Sequence, residues 1–247
     1  MIRRPHVLLS AAVTVSLLAG CTTASSPGQQ FGQRIAPSAS SSSPQSSPQS
    51  SAAAGACRWS PVAAGNQPAI KDVGTPPATV PSGTKATMTL TTNLGVVEIA
   101  MDAKAAPCAV ASFAYLAGKK FFDGTACHRL TTAGLFVLQC GDPSGTSTGG
   151  PAYQFAEENL GTQPGYRRGS VALARTQDPG TSGSQFFINY DDNPMLPADY
   201  TRFGTVTKGM DVIDKVADGG VKPGGISPDD GAPKVGIVLR QVTVVYS

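Results

Sequence analysis

An arginine and two glutamines lie among large apolar residues in two short stretches of the chain. Arg129 and Gln139 belong to FFDGTACHRLTTAGLFVLQCGD, and Gln185 belongs to GSQFFIN. A guanidinium and two carboxamides surrounded by aromatic side chains suit an ordinary core poorly. They suit a cleft that binds a peptide by hydrogen bonds while it excludes water.

The first stretch is predicted to form two β-strands, at about 126–131 and 135–140, joined by a short turn. Apolar and β-prone residues flank a Thr-Thr-Ala-Gly break at residues 131–134, which is typical of a hairpin. Arg129 and Gln139 would then lie on adjacent strands, so that the elements themselves bring the two polar side chains together.

The rest of the domain is predicted to consist of short strands and two helices. The chain contains 28 glycines and 20 prolines, which fits many turns between short strands and favours an all-β barrel. Periodicity predicts a hairpin at 86–101 and helices at 107–117 and 210–216. It predicts four further strands, at 166–174, 186–189, 202–206 and 234–245.

Five consecutive blocks of the sequence resemble the cyclophilins, the cyclosporin-type peptidyl-prolyl cis-trans isomerases. The blocks are HRL, LFVLQCGD, SVALART, GSQFFIN and FGTVTKGMDVIDKV. Their order and rough spacing also agree, and the resemblance covers about residues 86–247. It implies a closed eight-stranded antiparallel barrel capped by two helices, a fold without an exposed sheet edge. It also implies isomerisation of Xaa-Pro bonds, a reaction that needs no cofactor and no metal.

The resemblance further implies roles for individual residues. Arg129 corresponds to the catalytic arginine, whose guanidinium hydrogen-bonds the prolyl amide. Phe136, Phe187 and Leu196 correspond to the pocket for the proline ring. The full set of residues expected to contact the peptide is His128, Phe136, Gln139, Ala174, Gln185, Phe187, Met195, Leu196 and Tyr200.

The sequence departs from the family's pattern at several of these positions. Two extra residues lie between Arg129 and Phe136, and Cys140 stands where the family usually has glycine. Met195 replaces a tryptophan that many members carry, so we expect weak cyclosporin binding. Tyr200 replaces a pocket histidine and keeps a ring with one polar group. We expect these changes to affect affinity more than the reaction.

The first residues resemble the leader of a bacterial lipoprotein. Residues 1–20 combine Arg3 and Arg4 with an apolar run over 7–18, which is short for a membrane span, and end in Leu-Ala-Gly before Cys21. This resemblance implies that Cys21 is acylated and anchors the protein at the extracytoplasmic face of the cell membrane. A plain secretory peptide followed by a chance cysteine is the alternative.

Two further segments precede the isomerase-like domain at 86–247. Residues 21–56 are rich in Ser, Pro, Gln and Ala, and this composition predicts a disordered tether. As a coil it would reach roughly 30 Å. Residues 57–85 regain apolar side chains, including Cys57 and Trp59, and are predicted to form an irregular extension docked on the domain.

Composition excludes several classes of partner. The net charge is +3 and 14% of the residues are charged, so neither a basic stripe for nucleic acid nor an acidic block is present. A zinc site is disfavoured because there is no CxxC pair and His128 is the only histidine outside the leader. We expect a monomer whose partners are unfolded or proline-containing exported polypeptides.

Outside the leader and its Cys21 the chain has four cysteines: Cys57, Cys108, Cys127 and Cys140. An even number in an exported protein favours two disulfides, with three possible pairings. A hairpin around the 131–134 turn would bring Cys127 near Cys140. This favours Cys127–Cys140 and, by elimination, Cys57–Cys108.

Other functions were weighed against the isomerase. Residues 145–149 match the G-x-S-x-G pattern of serine hydrolases, but turn residues replace the required flanking strand and helix. The main alternative is a proline-peptide binding or scaffold module with little turnover. A stalked surface adhesin is a third interpretation and rests on the tether alone. Arg129, Phe136, Gln139 and Phe187 together favour the enzyme.

Overall fold

The computed structural model describes residues 56–62, 69–79, 85–161 and 165–247. The predictions for the leader, for Cys21 and for all but the last residue of the tether lie outside the described residues. Fourteen strands and two helices are present in the described part: β1 Ser60–Pro61, β2 Ile70–Lys71, β3 Ala86–Thr92, β4 Val96–Met101, α1 Pro107–Gly118, β5 Thr125–Ala126, β6 Arg129–Thr131, β7 Val137–Cys140, β8 Gly150–Pro151, β9 Tyr153–Gln154, β10 Ser170–Leu173, β11 Phe186–Asn189, β12 Arg202–Lys208, α2 Met210–Gly219, β13 Asp230–Gly231 and β14 Val238–Tyr246.

Ten of these strands form one curled antiparallel sheet, in the order β13-β6-β7-β11-β10-β12-β4-β3-β14-β5. Cys127 and His128 are the only residues between β5, which pairs with β14, and β6, which pairs with β7. The Cys127 N–H donates to the Ile237 carbonyl and the His128 N–H donates to the Gln139 carbonyl, both at 3.0 Å. The chain therefore links the two sides of the sheet at this point.

The all-β prediction is confirmed, and the strand count differs for a simple reason. The strand predicted over 126–131 changes its pairing partner midway and is therefore divided into β5 and β6. The short strand β13 then pairs with β6 and extends the sheet by one. Eight predicted strands thus become ten.

The core lies between the concave face of the sheet and the two helices. Along β3, alternate residues are buried, as the two-residue period of a strand requires. Helix α1 begins at a proline and contributes Phe113, whose ring lies 4.7 Å from Phe203 and 5.3 Å from Phe122 between centroids. Each fully buried aromatic side chain stabilises the fold by about 1.5–3 kcal/mol. Neither helix in the described ranges has the length and hydropathy needed to cross a membrane.

The segment that precedes the barrel is attached to it by short strand pairings and a disulfide. Strand β1 pairs with β9 and strand β2 pairs with β8. The structure joins Cys57 to Cys108, with Cα atoms 5.5 Å apart, and Cys127 to Cys140, with Cα atoms 4.0 Å apart. This is the pairing that the sequence favours.

Candidate active site

Arg129 and Gln139 face each other across β6 and β7. They are direct partners in the antiparallel ladder, and opposite residues of such a ladder project from the same face. The Nη1 atom of Arg129 donates to Oε1 of Gln139 at 3.2 Å. The predicted adjacency of these two strands is therefore confirmed.

Asp230 binds the other edge of the same guanidinium, and no sequence pattern predicts this contact. Nε of Arg129 donates to Oδ1 of Asp230 at 2.7 Å, and Nη2 donates to Oδ2 at 2.8 Å. The hydrogen bond and the charge of Asp230 raise the pKa of Arg129, against the opposing effect of burial. Of the five guanidinium donors, one on Nη1 and one on Nη2 have no partner among the described residues.

The two predicted glutamines continue this chain of hydrogen bonds. Nε2 of Gln139 donates to Oε1 of Gln185 at 2.8 Å. Nε2 of Gln185 donates in turn to the carbonyls of Ser147 at 3.1 Å and Gly149 at 2.9 Å. One continuous network therefore runs from Asp230 through Arg129 to the glycine-rich loop that contains Ser147 and Gly149. This network fixes the orientation of both glutamine amides.

The loop that receives this network is itself held by Asp142. Its Oδ1 accepts hydrogen bonds from the backbone N–H of Ser144 at 2.7 Å and from its hydroxyl at 2.6 Å. Burial acts to raise the pKa of Asp142, but these hydrogen bonds outweigh it, and the pKa is lowered. A side chain at Gly149 would collide with Asp142 Oδ1, so the close approach requires glycine at this position.

An apolar cluster lies on the same face of the sheet as Arg129. Phe187 in β11 is the ladder partner of Gln139 and is 5% exposed. Its ring contacts Tyr200 edge-on, with the centroids 5.5 Å apart. The buried members of the cluster are Val137, Tyr166, Ala172 and Phe187, and the partly buried members are Leu135, Ala174, Leu196 and Tyr200. Four predicted contact residues are thus brought together: Ala174, Phe187, Leu196 and Tyr200.

Phe136, in contrast, is not brought into this cluster. Its ring packs edge-on against Tyr190, with centroids 6.0 Å apart, and it lines a separate depression beside Arg168 and Asp191. Phe136 lies directly before β7, in which Val137 and Gln139 share the face of Arg129 and Leu138 faces the core. Its neighbour Val137 is the residue that joins the apolar cluster.

The remaining predicted contact residues surround the cluster in different ways. Met195 is 86% exposed. The backbone N–H of Ala174 donates to the Gln185 carbonyl at 2.9 Å, so this donor is already used. The guanidinium of Arg175 lies over the ring of Tyr200, 5.5 Å from its centroid, and this contact helps to orient the tyrosine.

His128 lies beside the site, at the junction between β5 and β6. Both ring nitrogens are buried. Burial lowers the pKa of His128 below its ordinary value of 6.5, and Arg129 acts in the same direction, while Asp142 and a side-chain hydrogen bond with Gln185 oppose it. The imidazole is therefore neutral at pH 7, where it cannot repel the guanidinium of Arg129.

Asn193 is a second residue that sequence reasoning missed. Its Oδ1 accepts the backbone N–H of Phe136 at 2.8 Å, and its Nδ2 donates to the Phe136 carbonyl at 3.2 Å. Nδ2 also donates to Oδ1 of Asn189 at 2.8 Å. Asn193 is 3% exposed and fixes the start of β7, and with it the register of Val137 and Gln139.

The chain is similar to known proteins in sequence. Residues 87–244 match the family model for the cyclophilin type peptidyl-prolyl cis-trans isomerase/CLD. The chain is 40% identical over 188 residues to the probable peptidyl-prolyl cis-trans isomerase B of Mycobacterium leprae, covering 71% of this chain and 60% of that protein. It is 38% identical over 125 residues to peptidyl-prolyl cis-trans isomerase B of Bacillus subtilis, covering 51% of this chain and 85% of that protein.

Solved structures give the same result. A cyclophilin type peptidyl-prolyl cis-trans isomerase of Cryptosporidium parvum superposes with a TM-score of 0.58 at 25% identity, over 66% of this chain and 99% of that one. A second crystal structure of that protein, in the presence of the dipeptide Ala-Pro, also gives a TM-score of 0.58. The chain spans 60% of the length of the M. leprae relative. Because the family model covers more than half of the chain, from 87 to 244, this chain belongs to the cyclophilin-type peptidyl-prolyl cis-trans isomerase family.

Proposed function

We propose that this chain is a peptidyl-prolyl cis-trans isomerase that acts on Xaa-Pro bonds of polypeptides. One observation carries the proposal. The guanidinium of Arg129, held on two sides by Asp230 and Gln139, keeps two N–H donors without a described partner on the sheet face that also carries the apolar cluster around Phe187. A proline ring in the cluster would bring its own amide within reach of those donors.

The reaction requires a rotation and no covalent bond change. The Xaa-Pro amide is planar because of resonance, and rotation crosses a barrier near 20 kcal/mol. In the twisted amide the nitrogen lone pair is localised and can accept a hydrogen bond from Arg129. A hydrogen bond to a charged group contributes about 1.5–3 kcal/mol, so this bond supplies part of the roughly 7 kcal/mol that a 10⁵-fold acceleration needs.

The apolar cluster contributes by holding the proline and excluding water. Phe187 and Val137 are almost fully buried, while Leu196 and Tyr200 at its edge are partly exposed, as expected for a surface that a small apolar ring can cover. The C. parvum relative crystallised in the presence of Ala-Pro supports a proline-containing ligand for this family. Weak hydration around the ring strengthens the hydrogen bonds from Arg129.

The test is the cis-to-trans relaxation rate of a short Xaa-Pro peptide with the full chain and with its Arg129→Ala variant. Circular dichroism establishes that both are folded. We expect a large acceleration that falls by at least tenfold in the variant. A folded wild type that leaves the rate at its solvent value would refute the isomerase. Peptide binding without acceleration would instead identify a proline-peptide binding module.

We also propose that the enzyme works outside the cytoplasm, anchored by a lipid on Cys21, on exported and cell-envelope polypeptides. Residues 1–20 have the composition of a lipoprotein leader, and two disulfides suit an oxidising compartment. Expression of the full chain and of Cys21→Ser in a bacterium that processes lipoproteins tests this. Membrane fractionation of the wild type and release of the variant support the anchor, and identical fractionation rejects it.

We further propose that the protein is a monomer and that it binds cyclosporin weakly. The family's tryptophan is replaced by Met195, which is 86% exposed and makes no close-packed wall for a large cyclic peptide. Sedimentation of the full chain tests the monomer. Titration with cyclosporin, compared between the wild type and Met195→Trp, tests the second point, and we expect tighter binding by the variant.

A further inference from the structure

A cavity of about 320 Å³ lies beside the proposed active site. Gln139, Ala174 and Gln185 line one side of it, and all three belong to the site described above. Val62 and Ile70 line another side, and both belong to the segment that precedes the barrel. The cavity is therefore continuous with the peptide site, but part of its wall is supplied from outside the barrel.

Backbone pairing places these two wall residues. Ile70 in β2 is the ladder partner of Gly150 in β8. Val62 directly follows β1, and its N–H donates to the Ala152 carbonyl at 3.1 Å. Each wall residue is thus held by the chain that immediately follows the glycine-rich loop, so its position relative to Gln185 is determined by hydrogen bonds.

Side-chain contacts secure the segment at several further points. The Cys57–Cys108 disulfide ties it to helix α1. The ring of Trp59 contacts Tyr153 and Phe155 edge-on, at centroid distances of 5.3 and 5.2 Å. Both contacts precede β1, and beyond β2 the Tyr115 hydroxyl donates to the Val73 carbonyl at 2.6 Å. The segment is thus held on both sides of the strand pairings, so the wall does not have to be ordered when a peptide binds.

The wall chemistry selects the type of group that the cavity can hold. Val62 and Ile70 are aliphatic and half-buried, whereas most of the remaining lining consists of glycines and uncharged polar side chains such as Thr148. Arg175 is the one charged side chain among the described lining residues. Its guanidinium donates to the carbonyls of Asp199, Thr176 and Gln177 and lies 3.8 Å from a Glu157 carboxylate oxygen. Its charge is therefore already compensated, and an incoming charged group would find no counterion and would lose its hydration.

We propose that Val62 and Ile70 determine the substrate specificity of this enzyme, by completing a pocket for one uncharged apolar side chain of the peptide near its proline. The inference rests on the proposed isomerase function. An apolar cavity of about 150 Å³ is large enough for benzene. The 320 Å³ available here therefore accommodates a leucine or phenylalanine side chain.

The experiment uses the full chain and a series of short peptides that contain one proline. Alanine, leucine or glutamate is placed in turn at each of the three positions before and the three positions after the Xaa-Pro pair. Both kcat/KM and the dissociation constant are measured for each peptide. At one position we expect leucine to be preferred over alanine and glutamate to be disfavoured.

The variants Val62→Ala and Ile70→Ala test the wall directly. Each removes two or more methyl or methylene groups, and we expect the leucine-to-alanine ratio at that position to fall about three- to tenfold. Val62→Lys places a cation at the wall and is expected to reverse the discrimination in favour of glutamate. Val73→Ala is the matched control, because Val73 belongs to the same segment but packs on the core away from the cavity.

The outcomes separate this inference from the proposed function. Unchanged ratios in both folded alanine variants, or ratios that change equally in Val73→Ala, would overturn the role of Val62 and Ile70 while leaving the isomerase intact. If the alanine variants lose the leucine-to-alanine ratio in dissociation constants but the wild type shows no catalysis, the pocket is supported and the isomerase is refuted.

Discussion

Arg129 and Asp230 form a bidentate ion pair across two adjacent strands, with N···O distances of 2.7 and 2.8 Å. Strand β13 pairs with β6, so the backbone itself brings the carboxylate beside the guanidinium. A planar guanidinium that is bound along one edge presents its remaining donors in a single orientation. The direction in which Arg129 offers its hydrogen bonds is therefore set by a residue near the other end of the domain.

Removal of this carboxylate should reduce catalysis without removing the arginine. For Asp230→Ala we expect kcat/KM for a proline peptide to fall about tenfold, because small displacements of a catalytic group are costly. The measurement is the peptide relaxation rate in the full chain. Asp229→Ala is the matched control, since the Asp229 side chain makes only a long hydrogen bond of 3.4 Å to Thr132.

A double variant separates orientation from general damage to the fold. If Asp230 acts through Arg129, then Asp230→Ala should have little further effect on the rate in an Arg129→Ala background. A full tenfold loss in that background would show that the carboxylate acts on the substrate or on stability by another route.

The two phenylalanines assigned to the proline pocket by resemblance should behave differently. Phe187→Ala removes a ring from the apolar cluster, and we expect kcat/KM to fall about 10- to 100-fold, the equivalent of the 1.5–3 kcal/mol gained on burial of such a side chain. Phe136→Ala removes the same ring from a contact with Tyr190, and we expect less than a threefold effect. Equal losses in the two variants would show that Phe136 contributes to the proline pocket as much as Phe187 does.

Stability should fall on mild acidification because of His128. Its pKa in the folded protein is lowered from 6.5, mainly by burial, so the unfolded chain binds the proton more tightly. The free energy of unfolding therefore decreases as the pH drops below about 6.5, and this contribution levels off once the pH is below the folded pKa. Urea unfolding from pH 8 to pH 5 measures it. His128→Gln should show a shallower decrease, and parallel curves for the two proteins would contradict this assignment.

Glu158 should stabilise the fold by accepting hydrogen bonds at the start of α1. Its two carboxylate oxygens accept the backbone N–H groups of Cys108 at 3.0 Å and Ala109 at 2.8 Å. We expect Glu158→Ala to lower the free energy of unfolding by about 1–2 kcal/mol. Glu98→Ala removes a surface ion pair with Lys208 and should cost less than about 0.5 kcal/mol. Equal losses in chemical denaturation would argue against the capping role.

Local patterns were sufficient to predict much of the architecture. The hairpin at 86–101, helix α1 and the facing of Arg129 and Gln139 each depend on residues close together in sequence, where periodicity and turn residues are informative. The association of Cys127 with Cys140 follows from the same hairpin. These features required no knowledge of how distant segments meet.

Relationships between distant segments could not be predicted in this way. Asp230 is 101 positions from Arg129, and Glu158 is 50 positions from the helix that it caps. The local sequence around an acidic residue does not indicate which distant residue the pairing of strands will place beside it. Phe136 shows the related difficulty, since its contact with Tyr190 joins residues that are far apart in sequence.

The joining of β5 and β6 has a consequence for the order of events during synthesis. Strand β5 pairs with β14, which is the last strand of the sheet in chain order. Arg129 lies three residues beyond β5, and its carboxylate partner Asp230 belongs to β13, the strand that precedes β14. A growing chain without these two strands has neither the partner of β5 nor the carboxylate that orients Arg129. The proposed peptide site is therefore completed only after β13 and β14 have been synthesised.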